Sequence, residues 1–203
     1  QNKGNYRVID ALSTLGFDYP PRAEFFRQQL RAYLILGNEA GIDLATATGS
    51  YAGAMGYPQF MPSSYRDFAV DFDADNKIDL INNPVDAIGS VANYFKKHGW
   101  HTGEGIVKRA TYTGQPDKVA QLDKILNLSF KPTVKASEPQ RLGLRTKVAL
   151  PPSLLVSPMS LQGAKGTQYW LGLNNFYVIT RYNNSNLYAL AAFQLSQKIK
   201  DKI

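Results

Sequence analysis

Apolar positions change their spacing several times along the chain, and each change marks an element. Over residues 7–15, Val8, Leu12 and Leu15 fall on one helical face, and Gly16 suits a helix stop. Pro20 and Pro21 then open a second helix, because proline is tolerated in a first turn. Its predicted buried stripe is Phe26, Leu30, Tyr33, Leu34 and Gly37, and it ends near Gly41. Residues 84–98 predict a third helix, with Asn83 as cap, Pro84 at the first position and Gly99 at the end. Val85, Ile88, Ala92 and Phe95 are its expected inner face. From 101 to about 165 the runs alternate instead, as in Ile106–Tyr112 and Thr146–Leu150. Gly114, Pro116, Pro132, Pro139, Pro151 and Pro152 separate them, and a short helix at 117–126 interrupts them. Residues 169–173 and 175–182 lead to a last helix over 185–200, with Tyr188, Ala192, Leu195 and Ile199 on one side. The expected architecture is α+β, with a helical core over 1–104, a β-rich insertion over 105–165 and a return to the core over 166–203.

Two stretches fit no regular pattern. Residues 48–65 are dense in glycine, aromatic and polar side chains, including Ser50, Tyr57, Gln59, Phe60 and Met61. Glycines there permit backbone shapes that other residues resist. Plain surface loops seldom hold so many apolar groups, so a packed, ligand-lining loop is expected. Residues 71–83 form an acidic loop. Asp71, Asp73 and Asp75 supply oxygens at positions one, three and five, as at the start of an EF-hand loop. Lys77 at position seven can offer its carbonyl, and Asn76 tolerates the left-handed turn where glycine usually stands. Ile78 is expected to pack inward. Position twelve is Asn82 rather than Glu, so a longer loop, 71–86, would close on Asp86. Asp71, Asp73, Asp75 and Asp79 would repel one another at close range without a cation. The spacing and the repulsion therefore point to a bound cation, with calcium the ion such loops take, and the alternative is an acidic solvated turn.

Composition narrows the partners. The 203 residues carry 23 Lys plus Arg against 16 Asp plus Glu, a net charge of +7. That balance suits an acidic polymer, anionic lipid or solubility alone, and no long basic run supports nucleic-acid binding. Cysteine is absent, which excludes disulfides and thiolate–metal sites. No apolar run is long enough to span a bilayer. Twelve tyrosines and two tryptophans fit a carbohydrate cleft as well as an ordinary core.

The segment Gly49–Tyr65, the acidic loop, Pro84–Phe95, Tyr169-Trp170 and Asn175–Asn183 together resemble the membrane-bound lytic murein transglycosylase B family. The likeness runs from Arg7 to the C-terminal helix and weakens between about 101 and 160. It implies a lysozyme-like fold and an EF-hand-like calcium loop longer than twelve residues. It also implies cleavage of peptidoglycan between N-acetylmuramic acid and N-acetylglucosamine. The family uses one glutamate, first as acid and then as base, and leaves a 1,6-anhydro ring. That glutamate belongs to a Glu-Thr/Ser-x-x-Gly segment just before the stretch matching Arg7–Leu15, so it is expected upstream of Gln1. Glu24 and Glu39 do not match the motif.

By the same resemblance Ser50 and Gln59 bond N-acetyl sugars, Tyr57, Phe60 and Met61 wall the subsites, and Tyr182 and Tyr188 are cleft tyrosines. Asp71, Asp73, Asp75, the Lys77 carbonyl and Asp86 are the implied calcium ligands, and no organic cofactor is implied. The family acts in the bacterial envelope, often with an outer-membrane lipid anchor, which would lie upstream. The other reading is a lysozyme-like module that binds peptidoglycan without cutting it.

Overall fold

A computed structural model describes residues 3–202. The chain divides into two compact units, Gln1–Lys97 and His98–Ile203. The first unit is mainly helical and the second is built on a sheet, so the fold class is α+β as expected.

In the first unit, β1 (Tyr6–Arg7) leads into α1 (Val8–Phe17), and a 3-10 turn at Pro20–Arg22 precedes α2 (Ala23–Ala40). β2 (Thr48–Gly49) runs antiparallel to β1 and pairs Tyr6 with Gly49. α3 (Pro62–Phe68) and α4 (Pro84–Lys97) complete the unit. α2 ends where Gly41 takes φ 62°, a left-handed conformation that glycine adopts without a Cβ penalty. The core holds Val8, Leu12, Phe26, Tyr33, Leu36, Met55, Tyr65, Leu80 and Tyr94.

Two predicted stripes are rotated. On α2 the buried side chains are Phe26, Gln29, Ala32, Tyr33 and Leu36, while Leu34 is exposed. On α4 they are Asp86, Ala87, Ser90 and Tyr94, while Val85, Ile88 and Ala92 face outward. The reason is polar satisfaction. Gln29 accepts from the Ser63 amide at 3.1 Å, the Ser90 hydroxyl oxygen accepts from the Val70 amide at 2.9 Å, and Asp86 holds two amides. A buried polar group is tolerated once it is hydrogen-bonded, and hydrophobic periodicity does not register that. The predicted cap holds: the Asn83 side-chain oxygen accepts from the Val85 amide at 2.9 Å.

In the second unit, β3 (Val107–Tyr112), β4 (Val134–Lys135), β5 (Leu144–Thr146), β6 (Leu155–Gly163) and β7 (Gly166–Gly172) form one antiparallel sheet in the order β4-β6-β7-β3-β5. α5 (Val119–Asp123) and α6 (Ser137–Arg141) lie between the strands in sequence. The sheet runs through Gly172, past the expected end of the β-rich stretch at 165, because β7 sits between β6 and β3. Leu122, Leu126, Leu142, Leu144, Val156 and Leu171 are among the core on this sheet.

α7 (Asn174–Tyr182) follows, and α8 (Asn186–Lys200) is capped by Ser185, whose hydroxyl oxygen accepts from the Tyr188 amide at 3.2 Å. The predicted stripe of α8 is not buried as a stripe. Its buried side chains are Ala189 and Leu190, near the end where it meets α7, whereas Leu195 and Ile199 are exposed.

Two expected outcomes follow from local geometry. Gly56 has φ 67°, and a Cβ there would lie 2.3 Å from the Leu80 carbonyl oxygen. Gly56→Ala therefore adds a backbone clash to left-handed strain and should cost about 2 kcal/mol or more, lowering Tm by about 5 °C. Gly41→Ala, at φ 62° with open space around it, should cost about 1 kcal/mol. Equal shifts in a thermal melt would refute the clash. Limited trypsin digestion should cut first after Lys147, in an exposed bend where Val148 is 71% exposed. A first cut inside α2, after Arg27 or Arg31, would contradict this.

Candidate functional site

The 48–62 segment folds as two tight turns tied by short bridges, Gly49 to Met55 and Met55 to Phe60. Ser50 anchors the first. Its hydroxyl oxygen accepts from the amides of Ala54 at 3.1 Å and Ala52 at 3.3 Å, which leaves the O–H as a donor. Gln59 anchors the second, at φ 54°. A non-glycine residue in the left-handed region carries strain, which is often stored at functional sites. The Gln59 amide nitrogen donates to the carbonyls of Gly56 at 2.9 Å and Lys3 at 3.0 Å. Both its protons are thereby used, and Oε1 remains to accept. Tyr57 donates its backbone amide to the Leu80 carbonyl at 2.9 Å, and its half-buried ring lies 3.9 Å from the Lys3 ammonium.

Met61 is half-buried at the start of α3. Phe60 differs from the expectation. It is 3% exposed, with its ring 5.8 Å from that of Tyr94. It supports the turn from within the core, where its bridge partner Met55 is also buried. Lys3, which composition and spacing do not single out, is the unexpected contact in this group.

Tyr182 and Tyr188 lie in the second unit, at the end of α7 and in the first turn of α8. Their rings are 6.4 Å apart and nearly parallel, at 7°. Burial pushes the Tyr188 phenol above its ordinary pKa, although the residue is 39% exposed. It stays protonated at neutral pH and can donate a hydrogen bond.

In the acidic loop the left-handed turn falls at Asn76, as expected, and at Ala74 as well. Asn76 takes φ 67° and Ala74 φ 61°. Asp71 accepts from the amides of Asn76 at 2.8 Å and Asp75 at 3.2 Å. Asp86 is fully buried and accepts from the amides of Phe72 at 2.8 Å and Asp79 at 2.9 Å. Asp71, Asp73 and Asp86 each bring a carboxylate oxygen within 4.8 Å of the others. That donor set of oxygens fits a hard divalent cation. Asp75 stands apart from the trio, with one oxygen accepting from the Lys77 amide at 2.8 Å. Ile78 is 37% exposed rather than inward, and Leu80, fully buried, takes that role. Burial works against the Asp79 carboxylate, yet the Asn82 and Ile81 amides, the Asn82 side chain and Lys77 hold it below the usual range.

None of the four glutamates has the setting of a general acid. Glu24 pairs with Arg27 at 2.9 Å, Glu39 with Arg66 at 2.6 Å and Glu104 with His101 at 3.1 Å, and all three are exposed. The hydrogen bonds from Arg27 to Glu24 and from Arg66 to Glu39 hold those two carboxyls below their ordinary pKa, so they are charged at neutral pH. Glu138 lies in the first turn of α6 and does not match the family motif.

Comparison with known proteins gives a consistent result. A family model described as the transglycosylase SLT domain matches residues 1–197. The membrane-bound lytic murein transglycosylase B of Escherichia coli K12 is 45% identical over 196 residues, which is 97% of this chain and 52% of that protein. The chain thus spans about half the length of this curated relative. The solved structure of the catenated lytic transglycosylase SltB1 from Pseudomonas aeruginosa matches with a TM-score of 0.91 and 51% identity, covering 100% of this chain and 65% of that one. The E. coli lytic transglycosylase Slt35, solved in complex with calcium, matches with a TM-score of 0.84 and 45% identity, over 96% of this chain and 59% of that one. With this match over nearly its whole length and the lysozyme-like α+β fold of these neighbours, the chain belongs to the transglycosylase SLT domain family.

Proposed function

We propose that this chain serves a lytic transglycosylase of peptidoglycan, which cleaves the bond between N-acetylmuramic acid and N-acetylglucosamine and closes a 1,6-anhydro ring. The observation that carries the reading is 45% identity to a murein transglycosylase across 97% of the chain. The chemistry of the first unit agrees with it. An N-acetyl group presents one carbonyl acceptor and one amide donor. The Ser50 hydroxyl can donate to the first, and the Gln59 Oε1 can accept from the second. Tyr57 and Met61 offer apolar surface of the kind that sugar faces cover. Tyr182 and Tyr188 supply phenol groups for orienting the sugar or the acid.

In this reading the acid is a glutamate of a Glu-Thr/Ser-x-x-Gly segment ahead of Gln1. It protonates the leaving oxygen, then takes the proton of the sugar's C6 hydroxyl as that oxygen attacks C1. Ordinary glycosidases use a second carboxylate and water, and here the substrate's own hydroxyl replaces the water. Calcium is the proposed ion of the acidic loop, held by Asp71, Asp73 and Asp86 with help from Asp75 and the Lys77 carbonyl. It would cross-link the loop to α4 and has no part in bond cleavage. The proposed location is the bacterial envelope. Among the described residues no helix is long and apolar enough to cross a membrane.

The exposed, ion-paired glutamates favour a second reading for the 203 residues alone, as a module that binds glycan without cutting it. Digestion of purified sacculi, with mass spectrometry of the products, tests both readings.

A further inference from the structure

Lys3 touches three parts of the first unit at once. Its carbonyl accepts from the Gln59 side-chain amide at 3.0 Å. Its ammonium donates to the Ile81 carbonyl at 2.6 Å and lies 3.9 Å from the centroid of the Tyr57 ring. Gly4 fixes where this short segment runs. It has φ 88°, and a Cβ there would fall 1.9 Å from the Gly49 carbonyl oxygen and 2.4 Å from the Ser50 nitrogen. The backbone thus presses against the Ser50 turn while the Lys3 side chain reaches across the Gln59 turn.

The far contact of Lys3 belongs to the exit of the acidic loop. Asp79 Oδ1 accepts from the amides of Asn82 at 2.8 Å and Ile81 at 2.9 Å. The Asp79 amide in turn donates to buried Asp86 at 2.9 Å, and the Leu80 carbonyl accepts from the Tyr57 amide at 2.9 Å. A continuous hydrogen-bonded path therefore runs from the Asp86 carboxylate to the Gln59 amide, and Lys3 closes it. An ammonium that is half-buried, bonded to a carbonyl and seated on a ring face is not an ordinary solvated lysine.

We propose that Lys3 is a positioning residue that holds the Tyr57 ring and the Gln59 amide in register with the acidic loop, so that the glycan-facing turn and the loop behave as one rigid piece. The inference rests on the glycan-binding reading for its functional consequence, but its structural part stands apart from that reading.

The test compares Lys3→Met, which keeps the stem without charge, with Lys3→Arg, which keeps the donor and the ring contact. Two quantities are measured on the full 203-residue chain: amide hydrogen exchange, and affinity for a tetrasaccharide of alternating N-acetylglucosamine and N-acetylmuramic acid. In Lys3→Met, the Tyr57 and Ile81 amides should exchange about tenfold faster while α1 and α2 amides keep their protection, and glycan affinity should fall about tenfold. Lys3→Arg should restore most of both. Unchanged exchange at Tyr57 in Lys3→Met overturns the proposal. Uniformly faster exchange across the unit overturns it too, since Lys3 would then be a general stabiliser. Failure of arginine to rescue overturns the role of the charge. If the unmutated chain binds no glycan, the proposed function fails, and the exchange data still decide the placement of Lys3.

Discussion

Purified sacculi incubated with the 203-residue chain should release no anhydro-muropeptide above background, while a version extended by a Glu-Thr/Ser-x-x-Gly segment ahead of Gln1 should release it readily. The difference should be large. General acid–base catalysis is worth roughly a hundred- to ten-thousand-fold, and the proposed mechanism asks one carboxyl to act in both senses. Such a carboxyl must carry a proton near neutral pH, which requires an apolar, partly buried site. Glu24 and Glu39 have the opposite setting, in the grip of Arg27 and Arg66, with pKa values held down. Their charged form is already favoured, so lowering the pH through the ordinary glutamate range should not awaken activity in the 203-residue chain. Glu→Gln in the added motif should return the extended protein to background without changing its melting curve. Anhydro products from residues 1–203 alone would mean that the acid is among these four glutamates, and Glu138 would be the first to replace. Reducing-end products from the extended form would mean that water attacks C1, and the transglycosylase reading would give way to a hydrolase.

Some features could be read from residue types alone, and others depended on contacts that no local pattern encodes. Asn83-Pro84 marks the start of α4 because a cap and a fixed φ act within one turn. Gly41 marks the end of α2 for the same local reason. The inner face of α4 was hidden, because it is chosen by Asp86 and Ser90, whose burial makes sense only once the amides of residues 70, 72 and 79 arrive from elsewhere. Ile88 and Val85 looked like core by hydropathy and are surface. Ser50 and Gln59 stood out as polar groups in an apolar loop, but their geometry, with two amides on one hydroxyl oxygen and a left-handed φ at Gln59, is a product of the folded turns. Lys3 carried no signal at all, since its partners lie at positions 57, 59 and 81.

Calcium should raise the melting temperature of the unmutated chain by about 5–10 °C over chelator, and Asp73→Asn should remove most of that rise. The size follows from linkage. A cation at about a hundred times its Kd stabilises the folded state by about 2.7 kcal/mol, and a chain of this length shifts by about 2–4 °C per kcal/mol. Asp73 is the cleaner probe. It is exposed and accepts from the Asn83 side-chain amide at 2.8 Å, a surface bond, so the variant should melt within about 1 °C of the parent in chelator. Asp86→Asn should behave differently. Asparagine has one acceptor oxygen where two amides, of Phe72 and Asp79, bond the buried carboxylate. It should therefore cost about 1–3 kcal/mol even in chelator and lose the calcium response as well. Magnesium at the same concentration should give a smaller shift, because it demands a near-ideal octahedron and sheds water reluctantly. Identical curves in calcium and chelator would sink the site. The bonds from the loop's own amides to Asp71, Asp75 and Asp79 would then be sufficient to hold the turn against the mutual repulsion of its carboxylates.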